Sequence, residues 1–296
     1  MLRSLVDRGH RVTVLLSRPT PDGDYLLDGV QVLAHRGADD LWRHLRGADL
    51  VLTHLENTPR TVVAARVAGV PFGIVCHNDR PHTKAWLVSD AALVVLNSEW
   101  MARDCGLRPR GLVVRPPVLA DEYRTDPGDR VTLVNLNESK GGLVLAALAN
   151  RMPDVAFLAV RGAYGEQVTS KSPNVEVIAH VPGHEMAGQV YARTRVLLMP
   201  SDYESWGRVG VEAMCSGIPV IAHPTPGLVE SLGAAGTFVH RDDLDGWEAA
   251  IRRLLVDEPH WAHRSELACK RVAELDPAGD LAAFVEAVEA TVGGAV

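Results

Sequence analysis

Basic residues and long apolar runs are both scarce in this 296-residue chain. Thirty Lys and Arg against 37 Asp and Glu leave a formal net charge of −7, which argues against a nucleic-acid binder because such proteins present a basic face. No apolar run reaches the ~18–20 residues that cross a bilayer, so we expect no integral membrane segment. Arg3, Asp7 and Arg8 interrupt the region where a signal peptide would be apolar.

Cysteine is also rare, and its spacing is informative. The four cysteines lie far apart with no C-x-x-C pair: Cys76, Cys105, Cys215 and Cys269. This spacing argues against a disulfide framework and against a thiolate zinc site, and it fits a reducing compartment. We therefore expect a cytoplasmic protein without a thiolate metal centre.

Short, nearly continuous apolar runs recur along the chain and alternate with helix-like stretches. Such runs are typical of parallel strands buried on both faces, so the order predicts an α/β fold. The predicted strands are 12–16, 30–34, 50–53, 72–75, 92–96, 112–114, 131–134, 155–160, 175–179, 196–199, 218–222 and 237–239.

A stiff connector, Arg115-Pro116-Pro117-Val118, divides this series into two similar halves, because two prolines continue neither a helix nor a central strand. We predict an N-terminal domain at 1–116, a second domain at 117–280 and a C-terminal helix at 281–296. The first residues read as the end of a helix closed by Gly9 rather than as a first strand with its glycine loop. A truncated chain, a misassigned start and a domain built without that strand are the alternatives.

The most informative segment follows the predicted strand 196–199. Glu204 lies in a loop, and Glu212 lies about one turn inside a predicted helix, 208–216, that Gly217 ends. Both carboxylates can then face the strand ends where open α/β folds bind ligands. The free N–H groups of residues 206–209 would form a phosphate site at the start of that helix.

This E-x7-E pattern, followed by S-G-I-P-V-I at 216–221, resembles the retaining glycosyltransferases of family 4. Further matches follow in the same order: R-G-H-x-V-T-V at 8–14, V-C-H-N at 75–78, L-N-S-E at 96–99, V-R-P-P-V at 114–118, K-G at 140–141 and H-P-T-P-G-L-V-E at 223–230. The resemblance implies a GT-B fold: two doubly wound Rossmann-like domains facing each other across a cleft, with a C-terminal helix after the second. The first domain would be the acceptor side and the second would bind the sugar donor.

The resemblance also implies roles for single residues. His77, Glu204 and Lys140 would be catalytic. His77 would contact the sugar or the acceptor from the N-terminal domain, Glu204 would hold the transferred sugar, and Lys140 would neutralise the leaving diphosphate. Glu212 would bind the ribose hydroxyls. The remaining residues expected at the sugar donor are Trp206, Gly207, Arg208, Arg161, Ser205 and Val209.

The implied activity is transfer of a sugar, with retention and without a metal or other cofactor, from a nucleotide-diphosphate sugar to a soluble acceptor. A UDP- or GDP-sugar is the expected donor. The family's phosphate-loop arginine is absent from the stretch 133–141, and Arg161 or Arg208 would replace it. The alternative is a non-catalytic nucleotide-sugar-binding protein, or an incomplete subunit that needs a partner chain. The acceptor and the oligomeric state stay open.

Overall fold

The structure is a computed structural model that describes residues 1–18, 23–34, 39–87, 90–107 and 111–293, with the backbone alone at 39 and 40. It divides into two compact units. The N-terminal unit comprises Met1–Pro117 and Pro277–Val296, and the C-terminal unit is Val118–Asp276. The first division lies at the predicted Pro-Pro connector.

The N-terminal unit contains the elements α1 Leu2–Asp7, β1 Thr13–Leu15, β2 Tyr25–Leu27, β3 Val30–Leu33, α2 Asp39–Leu45, β4 Val51–His54, α3 Thr58–Ala68, β5 Phe72–Cys76, α4 Pro81–Lys84, β6 Leu93–Leu96, α5 Glu99–Asp104 and β7 Leu112–Val113. They form two sheets, in the orders β1-β3-β2 and β4-β5-β6-β7. The four-stranded sheet is parallel throughout. The predicted opening helix is confirmed, and Gly9 follows it at φ 101°.

One strand of this unit was not predicted. β2 pairs antiparallel with β3 through the two-residue turn Asp28-Gly29, whose φ angles are 49° and 78°. Its three residues are all exposed, so it lacks the buried apolar run by which the other strands were recognised. The Asp-Gly pair is the local signal of such a hairpin, because both turn positions need positive φ.

The C-terminal unit contains α6 Ala120–Tyr123, β8 Arg130–Val134, α7 Gly142–Arg151, β9 Phe157–Val160, β10 Val175–Ile178, α8 Met186–Gln189, β11 Thr194–Met199, α9 Arg208–Met214, β12 Val220–Ala222, α10 Pro226–Leu232, β13 Gly236–Phe238, α11 Leu244–Val256 and α12 Glu258–Glu274. Short 3₁₀ turns lie at Glu138–Lys140, Gly183–Glu185, Tyr191–Arg193 and Gly233–Ala235.

Its six strands form one parallel sheet in the order β10-β9-β8-β11-β12-β13. Alternate residues of β11 enter two different cores: Val196 and Leu198 pack on one face, and Leu197 and Met199 on the other. The predicted burial on both faces is confirmed, and it explains why these strands read as continuous apolar runs.

The last helix, α13 (Ala278–Gly293), is part of the N-terminal unit rather than a separate segment beginning at 281. Phe284, Val285 and Val288 are buried in a core that includes Leu5 and residues of β6. Arg115 also fixes its first turn, since the guanidinium contacts both oxygens of Asp280 at 2.7 and 2.8 Å.

Candidate functional site

The carboxyl ends of β8 and β11 are the topological switch point of the C-terminal sheet. The two strands are hydrogen-bonded neighbours, but the chain leaves β8 towards β9 on one side and β11 towards β12 on the other. Open α/β sheets bind ligands at such a point, because the loops leaving the two strands diverge and open a crevice. The loops here are residues 135–141 and 200–207.

Lys140 and Glu204 meet at this point. Lys140 ends the 3₁₀ turn Glu138–Lys140 after β8, and Glu204 lies in the loop after β11. The Lys140 Nζ lies 2.6 Å from Glu204 Oε1, and the Ser201 hydroxyl donates to the same oxygen at 3.0 Å. Both side chains are partly accessible, at 31% and 16%. A cation and a carboxylate predicted from separate motifs are therefore in direct contact.

Glycines allow the surrounding loops to approach each other. Gly141 has φ 100°, and a Cβ there would lie 2.1 Å from Cγ of Pro200. A Cβ on Gly227 would lie 2.2 Å from the Glu204 carbonyl oxygen. Any side chain at either position would force the two switch-point loops apart or displace the loop after β12.

Glu212 lies on the first turns of α9 and is buried. Its Oε2 accepts a hydrogen bond from the Tyr191 hydroxyl at 2.7 Å, and its Oε1 lies 2.8 Å from Arg208 Nε. The Arg208 guanidinium also donates to the Tyr123 hydroxyl at 2.5 Å. Burial raises the pKa of the Glu212 carboxyl, although Tyr191 and Arg208 oppose that rise. Arg208 thus pairs with Glu212, and its proposed contact with the phosphates stays a prediction.

The other residues expected at the sugar donor are distributed between core and surface. Trp206 is 3% exposed in the core of the C-terminal unit, and Val209 packs against that same core. The Trp206 indole N–H has no hydrogen-bond partner among the described residues. Ser205 is half-buried, and Gly207 precedes α9 at φ 83°. The phosphate role of residues 206–209 stays a prediction.

Arg161 follows β9, the strand beside β8, and its side chain is exposed. Within the described residues it has no ion pair, so its proposed contact with the phosphates stays a prediction. A third arginine contacts the two switch-point loops: Arg241, in the segment after β13, donates to the carbonyl oxygens of Ser139 and Pro200.

His77 lies in the N-terminal unit, directly after β5. The last residue of the neighbouring strand β4 is His54, and the two ring centroids are 5.1 Å apart, edge to face. Burial lowers the pKa of His77, and the charge that His54 can carry lowers it further. His77 is thus held towards its neutral form, which can accept a proton or a hydrogen bond.

Three residues that form hydrogen bonds with the candidate site were not predicted from sequence: Tyr191, Tyr123 and Arg241. The two tyrosines lie far from Glu212 along the chain, and no local pattern links them to it. Arg241 does follow a strand end, a position that points to the ligand edge in this fold class.

Two kinds of feature are absent from the described residues, 1–293 apart from the four short gaps. They contain no group of three or more His, Cys, Asp or Glu placed to hold a metal ion. They contain no helix long and apolar enough to cross a membrane.

Residues 137–257 match the family model described as "Glycosyl transferases group 1". The chain is 29% identical over 151 residues to the D-inositol 3-phosphate glycosyltransferase of Corynebacterium aurimucosum. This match covers 50% of the present chain and 32% of the relative. Further relatives of that name are covered to 29% and 34%, so the chain spans about a third of the length of these curated relatives.

The fold is shared with solved glycosyltransferase structures. A sucrose-phosphate synthase from Thermosynechococcus elongatus superposes with a TM-score of 0.78 at 18% identity, covering 100% of this chain and 92% of that one. Anabaena Alr3699/HepE in complex with UDP-glucose superposes with a TM-score of 0.75 at 18% identity, covering 88% and 86%. The predicted GT-B fold is confirmed, and Lys140, Glu204 and Glu212 lie inside the segment that matches the group 1 glycosyl transferases.

Proposed function

We propose that the C-terminal unit binds a nucleotide-diphosphate sugar at its switch point and that the protein transfers the sugar to a soluble acceptor. The observation that carries this proposal is the contact between Lys140 and Glu204 at the ends of β8 and β11. The ammonium at this edge can stabilise an anionic leaving group, and the carboxylate can stabilise a sugar that develops positive charge. The UDP-glucose complex of the structural relative supports this class of donor.

Lys140 is the proposed contact for the diphosphate. When the sugar–phosphate bond breaks, negative charge grows on the departing diphosphate, so a cation already in place stabilises the transition state more than the ground state. Glu204 is the proposed contact for the sugar, where a carboxylate both accepts hydrogen bonds from hydroxyls and stabilises developing positive charge. The proposed outcome is retention of configuration, as in the family that the sequence resembles.

Glu212 is the proposed contact for the ribose hydroxyls. Its two oxygens each carry one donor already, from Arg208 and Tyr191. A carboxylate offers about four acceptor positions, so two more hydroxyls can bind without displacing either partner.

The proposed reaction needs no metal ion or organic cofactor, because Lys140 and nearby N–H groups meet the charge of the diphosphate. Turnover is then expected to persist in excess chelator. Loss of activity with chelator and its recovery with manganese or magnesium would contradict this mechanism.

The first experiment is a thermal-shift screen of the full chain with UDP, GDP, ADP and TDP. A ligand at about 100 times its Kd adds ~2.7 kcal/mol of stability, which gives a clear shift. Lys140→Ala is expected to lower the shift, whereas Lys171→Ala, an exposed lysine of the same unit, is not. No shift with any of the four ligands would contradict the proposal.

The sugar conjugate of the nucleoside diphosphate that gives a shift is then tested for hydrolysis and for transfer of its sugar. This measurement distinguishes a transferase from a non-catalytic nucleotide-sugar-binding protein. Binding with neither hydrolysis nor transfer would favour the non-catalytic alternative. For the transferase, Lys140→Ala is expected to lose more turnover than nucleotide affinity, because charge on the diphosphate is greatest as it leaves.

A further inference from the structure

Arg241 connects loops that leave several different strands of the C-terminal sheet. It lies in the segment between β13 and α11, and its side chain is half-buried. Its Nη1 donates to the Ser139 carbonyl oxygen at 3.1 Å and to the Pro200 carbonyl oxygen at 2.6 Å. Its Nη2 donates to the Glu138 carbonyl oxygen. One guanidinium therefore binds main-chain atoms of both switch-point loops.

The main chain of Arg241 is held as well. Its N–H donates to Nδ1 of His223, in the loop after β12, at 3.2 Å. The side chain thus starts from a fixed point and reaches past β12 to the loops after β11 and β8. A planar guanidinium with donors in a fork can serve several carbonyl oxygens at once, which a single ammonium cannot do in the same geometry.

The carbonyl oxygens that Arg241 binds belong to the turn carrying Lys140 and to the start of the loop carrying Glu204. Between the same loops, the Asp202 N–H donates to the Ser139 carbonyl oxygen at 2.9 Å. The placement of the Lys140 ammonium depends on where this turn lies relative to the loop after β11.

We infer that Arg241 is a positioning residue for Lys140: it holds the Glu138–Lys140 turn against the loop after β11 and so sets where the ammonium meets a bound diphosphate. It acts through main-chain carbonyls and not by contact with the ligand. For its ligand-binding consequence, the inference rests on the proposed function.

Hydrogen exchange on the free protein tests the structural part without any ligand. In Arg241→Met, the amides of Lys140, Gly141 and Asp202 are expected to exchange about tenfold faster, as expected when about one hydrogen bond's net stabilisation is lost. Arg271→Met is the matched control, because Arg271 also binds two main-chain carbonyl oxygens, those of Ser231 and Glu230, elsewhere in the unit. Unchanged exchange in Arg241→Met overturns the inference.

Binding measurements test the consequence for the site. The probes are the nucleoside diphosphate that stabilises the wild type most and its parent nucleoside. Arg241→Met is expected to weaken the diphosphate about tenfold and to leave the nucleoside within about twofold, because only the phosphate contact depends on Lys140. Arg241→Lys is expected to restore little. In a Lys140→Ala background, Arg241→Met is expected to add no further loss, since it acts through Lys140.

The outcomes separate the two ideas. Weaker diphosphate binding with unchanged exchange would mean that Arg241 contacts the phosphates itself, which overturns a positioning role. Full additivity of the two substitutions overturns it as well. If none of the four nucleoside diphosphates binds the wild type, the proposed function fails, while the exchange result still decides whether Arg241 holds the loops.

Discussion

In the proposed mechanism, Glu204 and a bound diphosphate compete for one ammonium, that of Lys140. In Glu204→Gln the pair with Lys140 is lost, so the affinity for the nucleoside diphosphate is expected to stay equal or rise a few-fold, while turnover falls because the sugar loses its carboxylate. Glu212→Gln is expected to cost ~1.5–3 kcal/mol of nucleotide binding, since the ribose hydroxyls then lack a charged acceptor.

Calorimetry with the nucleoside diphosphate on both variants measures this difference. Glu266→Gln, an exposed glutamate on α12, controls for the change in net charge. A larger loss of affinity in Glu204→Gln than in Glu212→Gln would reverse the two roles.

The His54–His77 pair gives a pH-dependent prediction. Because burial and His54 hold the pKa of His77 below its ordinary 6.5, the unfolded chain takes up a proton as pH falls through 6.5 before the folded chain does. The free energy of unfolding is therefore expected to fall as pH drops below 6.5. His77→Gln is expected to lose less of it than the wild type over the same pH range.

His54→Ala is expected to raise the pKa of His77, which an NMR titration of the His77 ring protons would measure. An unchanged titration would show that His54 contributes nothing.

At the residue scale, the candidate site was predictable where each residue is part of a local pattern. Lys140 and Glu204 each lie in a loop after a buried strand, and the pairing of those two strands brings their side chains together. Glu212 lies on the helix that follows, and its place at the sugar donor stays a prediction. Tyr191 was not predictable, because its hydrogen bond to Glu212 depends on how the segment before β11 packs against α9. Such a contact depends on the tertiary fold, and no local sequence pattern relates the two residues.

Single glycines decide how closely the loop elements approach, and two of them form a matched pair. Gly9 and Gly141 have φ of 101° and 100°, but a Cβ on Gly9 meets nothing within 4 Å whereas one on Gly141 lies 2.1 Å from Pro200. Gly9→Ala is expected to cost about 1–2 kcal/mol for backbone strain alone. Gly141→Ala adds overpacking and is expected to cost about 2–5 kcal/mol.

Urea unfolding of the full chain measures both substitutions, with amide exchange assigning each loss to the unit that carries it. Equal costs for the two variants would mean that the loop of Pro200 yields freely, and the close approach of the switch-point loops would then matter little to stability.

At the scale of elements, buried strands were the most predictable feature. The five strands β8 to β12 of the C-terminal sheet have apolar residues on both faces, and that pattern differs from a surface helix or a loop. β2 was missed because a three-residue strand with every side chain exposed has no such pattern, even though its Asp28-Gly29 turn is a hairpin signal. Strand order across the sheet required the structure, because an apolar run does not identify its neighbour.

At the scale of the whole molecule, the sequence also does not identify which unit the last helix packs against. Leu281, Phe284, Val285 and Val288 predict a helix with one apolar face, but an apolar face does not say which unit it covers. The core around Phe284 and the two contacts between Arg115 and Asp280 assign α13 to the N-terminal unit. The chain thus leaves the N-terminal unit at Pro117 and returns to it at Pro277.

Because the chain re-enters the N-terminal unit at Pro277, a fragment made to test the sugar-donor site must end before that residue. A fragment of residues 118–276 contains the complete C-terminal unit with Lys140, Glu204 and Glu212, so it is expected to fold and to be stabilised by the same nucleoside diphosphate as the full chain. A fragment of residues 118–296 also carries α13 without its partners, and Phe284, Val285 and Val288 would face water. Burying such side chains is worth about 1.5–3 kcal/mol each, so the longer fragment is expected to self-associate.

Sedimentation of both fragments and thermal shift with the nucleotide check these expectations. Phe284→Asp in the longer fragment is the control, because a charge on the apolar face of α13 is expected to reduce its self-association without changing nucleotide binding. If the full chain binds the nucleoside diphosphate and the folded 118–276 fragment does not, the sugar-donor site is not contained in the C-terminal unit. The roles assigned to Lys140, Glu204 and Glu212 would then be insufficient for binding.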